Sequence, residues 1–166
     1  SYEIYRHVPG LNCLAPVDPS DDLDSFQLNL FACKQDRAQW LIEKNLLTPK
    51  ISDRDARDGS ATLAAKIDPN NFPHFKFFDK SWVQEPSGTN FEETAYLGAI
   101  VRYGRAQDKS RRISERFTML QASHNDLREL CTRHPSRSRL MTYARVAQDC
   151  GERTRAFQTL SYLEKN

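Results

Sequence analysis

The strongest constraint on the fold lies in the last third of the chain, where two helical patterns meet at a single glycine. The segment His134-Pro135-Ser136 ends one helix and begins another, because Ser and Pro suit the first positions of a helix. This second pattern runs to Gly151, and a last helix follows at once to about Lys165. The sequence therefore predicts a helix hairpin with its turn at Gly151.

Helical spacing predicts which side chains of this hairpin face inward. They are Leu140, Tyr143, Ala144 and Ala147 on the first helix, with Ala156, Leu160 and Leu163 on the second. The pattern resembles a tetratricopeptide unit of about 34 residues, in which Leu140 and Tyr143 fill large positions and Ala144 and Ala156 small ones. The usual aromatic residue near Ala147 is missing, and the chain ends before the customary terminal proline. A generic antiparallel helix pair predicts the same helices, and only a repeat stack would offer a concave groove to a partner.

Two further helices are predicted upstream of the hairpin. Asn90 and Glu93 form a capping-box pattern at the start of one. The other, near Ser110–Arg133, carries a stripe on one face: Ile113, Phe117, Leu120, His124, Leu127 and Cys131. We interpret His124 as a hydrogen-bonded edge residue and not as a ligand, because no second histidine lies at metal-binding spacing. The polar run 123–126 leaves two alternatives, one long helix or two short ones.

The N-terminal half shows weaker signals. Residues 2–17 predict two strands joined by a turn at Pro9-Gly10. An isolated hairpin is marginal in water, and no other convincing strand follows, so we expect part of its sheet to be missing upstream. A helix is predicted near Gln35–Lys44. The rest of this half is assigned to a surface loop at 48–60, a short helix at 60–67 and an aromatic segment at 72–82 that fills a core.

These patterns predict a mainly α fold with tetratricopeptide-like helix hairpins in the C-terminal half, and a small β-hairpin and an irregular segment before them. We expect two regions, residues 1–89 with the hairpin, a helix and the aromatic-rich segment, and residues 90–166 with the helical repeat.

Charge is distributed unevenly along the chain. Residues 1–90 carry 10 basic and 13 acidic side chains, and residues 91–166 carry 14 basic and 9 acidic ones. Six of the basic residues crowd one stretch: Arg102, Arg105, Lys109, Arg111, Arg112 and Arg116. This cluster is a candidate surface for a partner or an anion such as nucleic acid or glycan. The interpretation that we prefer is a solvated helix face, supported by the neighbouring Asp108 and Glu115.

Several classes of protein are disfavoured. No apolar run approaches the roughly 20 residues that span a bilayer, and neither a signal peptide nor an Asn-x-Ser/Thr acceptor is present. The four cysteines include no C-x-x-C pair, so we interpret them as buried thiols. We therefore expect a soluble cytoplasmic protein without a membrane partner or a metal.

The N-terminal segment resembles a known family. Tyr2–Asn12 and Ala15–Val17, followed by Leu28–Lys34, are similar to the tail of bacterial FkbM-type methyltransferases over roughly the first quarter of the chain. The resemblance implies a parent O-methyltransferase that uses S-adenosylmethionine on a doubly wound sheet, often fused to helical repeats. It also implies that residues 2–17 are the last hairpin of that sheet. No glycine-rich cofactor loop such as G-x-G-x-x-G occurs, so we assign no catalytic or cofactor residue and expect no cofactor in this fragment.

Our leading hypothesis is a non-catalytic C-terminal accessory domain whose helical surface targets a protein, a substrate or the upstream catalytic domain. The alternatives are a free-standing protein-interaction module and an anion binder that uses Arg102–Arg116. An independent enzyme is the fourth hypothesis, but neither Asp79 beside Trp82 nor His134 near Arg137 completes a catalytic set.

Overall fold

The computed structural model describes residues 2–18, 23–24, 30–50 and 91–165, without the side chains of 91–94. Three strands and five helices lie in these ranges: β1 Tyr2–Val8, β2 Cys13–Pro16, β3 Leu30–Lys34, α1 Gln35–Glu43, α2 Phe91–Gln107, α3 Ile113–Arg133, α4 Arg137–Cys150 and α5 Arg153–Lys165. The predicted fold class is confirmed, because the helices dominate the C-terminal half and a small sheet lies at the N-terminus. The predictions for 51–90, including the capping residue Asn90, lie outside the described residues.

The sheet is antiparallel with the strand order β2-β1-β3. Val8 pairs with Cys13 and Tyr5 with Pro16 across the predicted hairpin. Its turn is closed by hydrogen bonds from Leu11 to Val8 and from Asn12 to Pro9, each 3.2 Å long. Asn12 adopts a positive φ of 50°, which Asn tolerates better than most residues. The prediction of this turn at Pro9-Gly10 is confirmed.

The expectation that no other strand follows the hairpin was wrong, because β3 pairs with β1. Tyr2 lies opposite Lys34 and Arg6 opposite Leu30. β3 was not predicted because its sequence, Leu-Phe-Ala-Cys-Lys, shows no alternation of apolar and polar residues and continues directly into α1. Its partner strand also lies more than twenty residues earlier in the chain, so no local turn signal links the two.

The segment after α1 returns to the opposite edge of the sheet. Asn45, with φ of 55°, turns the chain, and the Leu14 amide donates to the Leu46 carbonyl at 2.8 Å. The Thr48 amide donates in turn to the Leu14 carbonyl at 2.9 Å. Leu47 forms a parallel bridge beside β2 and is buried in a small core between the sheet and α1. This core fixes the position of α1.

The helix α3 is continuous through its polar run, which decides between the two alternatives left by the sequence. The Ser123 hydroxyl donates to the Ala99 carbonyl of α2 at 2.8 Å, and the Asp126 carboxylate pairs with Arg102 at 2.5 Å. Short polar side chains break helices mainly by competing for the local backbone. Here their partners are on α2, so the helix is not interrupted.

The predicted hairpin forms from α4 and α5. Gly151 has φ of 88°, a conformation that glycine adopts without strain. The Gly151 amide donates to the Gln148 carbonyl at 3.0 Å and the Glu152 amide to the Ala147 carbonyl at 2.9 Å. This double closure is the Schellman motif, and it ends α4 at the residue that the sequence indicated.

One hydrophobic core joins the β1–β2 hairpin to the helices. Val8, Leu11, Cys13 and Ala15 belong to the same buried cluster as α2, α3, α4 and α5. The largest fully buried helical side chains of this cluster are Leu120, Leu127 and Val146. The sequence boundary between residues 89 and 90 therefore separates segments that share a core.

Candidate functional site

The hairpin meets the helices at the end of α4, at a site that we name the α4–α5 corner and define as residues Asp149–Glu152. The Gly10 amide donates to the Asp149 carbonyl at 2.9 Å. A Cβ atom added to Gly10 would lie 2.4 Å from the Asp149 Cβ and 2.7 Å from its Cγ. Only glycine therefore fits at this position without displacing its neighbour.

Two more hydrogen bonds attach neighbouring elements to the same corner. The Tyr103 hydroxyl of α2 donates to Asp149 Oδ2 at 2.6 Å. Burial and the adjacent Asp149 carboxylate raise the pKa of Tyr103 well above its ordinary value, so its proton stays in place as a donor. Arg6 Nη1 of β1 donates to the Cys150 carbonyl at 2.7 Å, which satisfies a carbonyl at the helix end. Three elements, β1, α2 and α4, are thus joined at one point.

A charged group lies on the other side of the corner. Glu152 Oε2 is 3.0 Å from Arg155 Nε and 3.3 Å from His124 Nε2. Burial raises the pKa of the Glu152 carboxyl, but His124, Arg155 and Arg6 outweigh it, so the pKa lies below its ordinary value. Glu152 is therefore a carboxylate at neutral pH and serves as the centre of this group.

His124 is buried and stacks on the Tyr143 ring with centroids 5.4 Å apart. Within the described ranges, no group of three His, Cys, Asp or Glu side chains is arranged to hold a metal ion. The interpretation of His124 as a hydrogen-bonded edge residue was wrong, because the ring is buried within the α3 stripe and its Nε2 faces Glu152 Oε2 at 3.3 Å as an ion pair without hydrogen-bond geometry.

The residues expected to pack inside the helix hairpin are placed unequally. Tyr143, Ala144, Ala147, Gly151 and Ala156 are buried. Leu140 and Leu163 are partly buried, but Leu160 is 51% exposed and does not lie between the helices. The expectation for Leu160 was wrong because the buried line of α5 is narrow and centred on Ala156. Leu160 lies on the outer side of that line, next to the exposed Phe157.

The basic cluster does not form one free surface. Arg102 pairs with Asp126, and Arg111 pairs with Asp108 and Glu115. Arg116 is partly buried and donates from Nε to the Ala106 carbonyl at 2.7 Å. Arg105 is also partly buried, whereas Lys109 and Arg112 are exposed. The six cations are close in sequence but differ in surroundings and roles.

All four cysteines are free and buried, which confirms their interpretation as buried thiols. Burial raises the pKa of Cys13 to about 11 and that of Cys131 to about 11. The pKa of Cys150 is raised further by the same cause. Thiols of this kind hold little thiolate at neutral pH, so these three are poor nucleophiles.

Sequence reasoning found Gly151 but missed the contacts that the corner makes with the β1–β2 hairpin. The Pro9-Gly10 turn was found, but nothing in the sequence connects Gly10 to Asp149, or Arg6 to Cys150, across more than one hundred positions. Asp24 was also missed. Its carboxylate accepts hydrogen bonds from the Thr154 amide at 2.7 Å and the Thr154 hydroxyl at 2.8 Å, at the start of α5.

Comparison with known proteins gives no match to a family model, to a curated protein or to a solved structure. The resemblance to FkbM-type methyltransferases therefore stays a prediction. Among the helices in the described ranges, none has both the length and the apolar character needed to cross a membrane.

Proposed function

We propose that this chain is a non-catalytic C-terminal accessory domain of a larger methyltransferase-like enzyme, and that its helical surface targets a protein, a substrate or the upstream catalytic domain. The observation that carries the proposal is the attachment of the β1–β2 hairpin to the α4–α5 corner through Gly10 and Asp149.

The attachment matters because of what the hairpin would be in the parent enzyme. By its resemblance, the hairpin is the last part of a catalytic sheet. A hairpin that shares a core with four helices cannot move independently of them, since core packing is close and not fluid. The helices would then hold a fixed orientation relative to the catalytic sheet, which is what a targeting domain needs to present a substrate or a partner reproducibly.

The sheet also exposes apolar side chains on its strands away from the corner. Leu30 and Phe31 of β3 are 47% and 43% exposed, and Tyr2 and Ile4 of the adjacent β1 are exposed as well. By the strand register, Tyr2, Ile4 and Leu30 share one face of the sheet and Phe31 lies on the other. Three exposed apolar side chains on one face favour a contact with another protein surface. An upstream catalytic domain would cover them in the parent enzyme.

The anion-binding alternative receives less support. Arg102, Arg111 and Arg116 already have partners within the chain, and each would have to exchange these for phosphates. Lys109 and Arg112 alone are too few for the several phosphate contacts that give strong, salt-dependent binding.

Titration calorimetry of the folded 166-residue chain with S-adenosylmethionine tests the proposal. We expect no heat of binding under conditions that would reveal micromolar affinity, because the residues that would bind the cofactor belong to the upstream domain. Saturable binding with one-to-one stoichiometry would overturn the proposal, since the chain would then hold a cofactor site of its own. Far-ultraviolet circular dichroism of the same sample shows that the chain is folded during the titration.

A further inference from the structure

One side of α5, next to its buried line, carries four exposed residues, which we name the α5 stripe: Arg153, Phe157, Leu160 and Glu164. Phe157 is 70% exposed and Leu160 is 51% exposed. Their separations of four, three and four residues place all of them within about 60° on one side of the helix, at 100° per residue. The exposed Tyr162 lies on a different side and is not part of the stripe.

The order of the stripe is symmetric about its centre. Arg153 precedes Phe157 by as many residues as Glu164 follows Leu160, so the two charges are opposite in sign and equally far from the apolar pair. If a second α5 lay antiparallel across this face, Phe157 of each copy would contact Leu160 of the other. Arg153 of each copy would likewise lie beside Glu164 of the other.

This arrangement is what a two-fold axis requires, because in such an interface every contact between two positions occurs twice. The spacing is also that of the a and d positions along the seam of a coiled coil, where two helices pack side by side. A helix running parallel would instead bring Arg153 against Arg153 and Glu164 against Glu164. The charges therefore select the antiparallel orientation.

We propose that the α5 stripe is a self-association surface that pairs two copies of this chain through antiparallel α5 helices. An apolar centre with an ion pair at each end has the composition of a protein interface, with its hydrophobic middle and polar rim. Association covers Phe157, which is otherwise the most exposed of the large apolar side chains in the described ranges.

The interface is small, and its small buried area limits the affinity of the dimer. A helix of 13 residues is about 20 Å long, so a single helix pair buries less than the ~1,600 Å² of a standard stable interface. We therefore expect a weak dimer with a dissociation constant in the micromolar to millimolar range. The inference uses α5 alone and does not depend on the proposed function.

Sedimentation equilibrium of the 166-residue chain over a wide concentration range tests this inference. We expect a reversible monomer–dimer equilibrium that Phe157→Ser weakens at least about tenfold, since each dimer loses two buried phenyl rings. Met141→Ser is the matched control, because Met141 is also exposed but lies on α4 outside the stripe. It should leave the dissociation constant unchanged.

Charge-reversal variants distinguish specific antiparallel pairing of α5 from nonspecific hydrophobic association. Arg153→Glu and Glu164→Arg should each weaken the dimer about tenfold, because each places like charges together at both ends. The double variant Arg153→Glu with Glu164→Arg exchanges the two charges and should restore the wild-type dissociation constant. A chain that stays monomeric at all concentrations would overturn the inference, as would a dimer that is indifferent to Phe157→Ser or a double variant as weak as the single ones.

Discussion

Replacing Gly10 by alanine tests the contact that joins the hairpin to the helices. The new methyl carbon would lie 2.4 Å from the Asp149 Cβ, far inside van der Waals contact, and 3.0 Å from its Oδ2. Because Asp149 also accepts from Tyr103 and from the Gly10 amide, moving it away strains two hydrogen bonds. Overpacking costs about 1–3 kcal/mol and each weakened hydrogen bond about 1 kcal/mol. Alanine also lowers the conformational entropy of the unfolded chain, and this effect offsets about 0.4–1 kcal/mol of the lost stability.

The expected net result for Gly10→Ala is a loss of about 2–4 kcal/mol in the free energy of unfolding. Urea unfolding monitored by circular dichroism should show a midpoint about 1–2 M lower, for a denaturant slope typical of a chain of this size. In an Asp149→Gly background the clash has no partner atom, so the added cost of Gly10→Ala should fall below about 1 kcal/mol. A loss under about 0.5 kcal/mol in the wild-type background, or an equal loss in both backgrounds, would refute the reasoning.

Two further predictions concern the start of α5. Asp24→Ala should lower the free energy of unfolding by about 1 kcal/mol, because the carboxylate caps the Thr154 amide. Glu129→Ala, which removes an exposed ion pair with Arg133, is the control and should cost less than about 0.5 kcal/mol. The lowered pKa of Glu152 means that its stabilising effect is complete above the ordinary pKa of glutamate and is lost as pH falls through the folded-state value. Urea midpoints between neutral and acidic pH should therefore fall less steeply for Glu152→Gln than for the wild type. An unchanged slope for Glu152→Gln would contradict this assignment.

Local patterns were sufficient to predict the helices and the hairpin turn. The stripe from Ile113 to Cys131 lies on a buried face of α3, and Gly151 ends α4, because helical period and capping chemistry depend on neighbours in the sequence. β3 was missed for the opposite reason. Its five residues become a strand only through pairing with β1, and such tertiary contacts cannot be recognised from the spacing of apolar residues within one segment.

The candidate sites show the same division. Helical spacing and residue size correctly predicted that Tyr143, Ala144 and Ala147 are buried. The same reasoning failed for Leu160, because helical spacing does not show how many positions of a surface helix are buried. The turn at Gly151 was predicted, but the attachment of the β1–β2 hairpin to the α4–α5 corner could not be. Its hydrogen bonds join Arg6 and Gly10 to backbone carbonyls near the end of α4, and a carbonyl is common to every residue.

The central claim is that the hairpin and the helices form one folded body, and hydrogen exchange at the Gly10 amide tests it most directly. This amide donates to the Asp149 carbonyl across the junction, so its protection reports on that contact and not on the sheet alone. We predict that it exchanges only on global unfolding, as slowly as the amides of Leu120 and Leu127 in the core of α3. Exchange at the rate of an unprotected loop, while the α3 amides stay protected, would contradict the account.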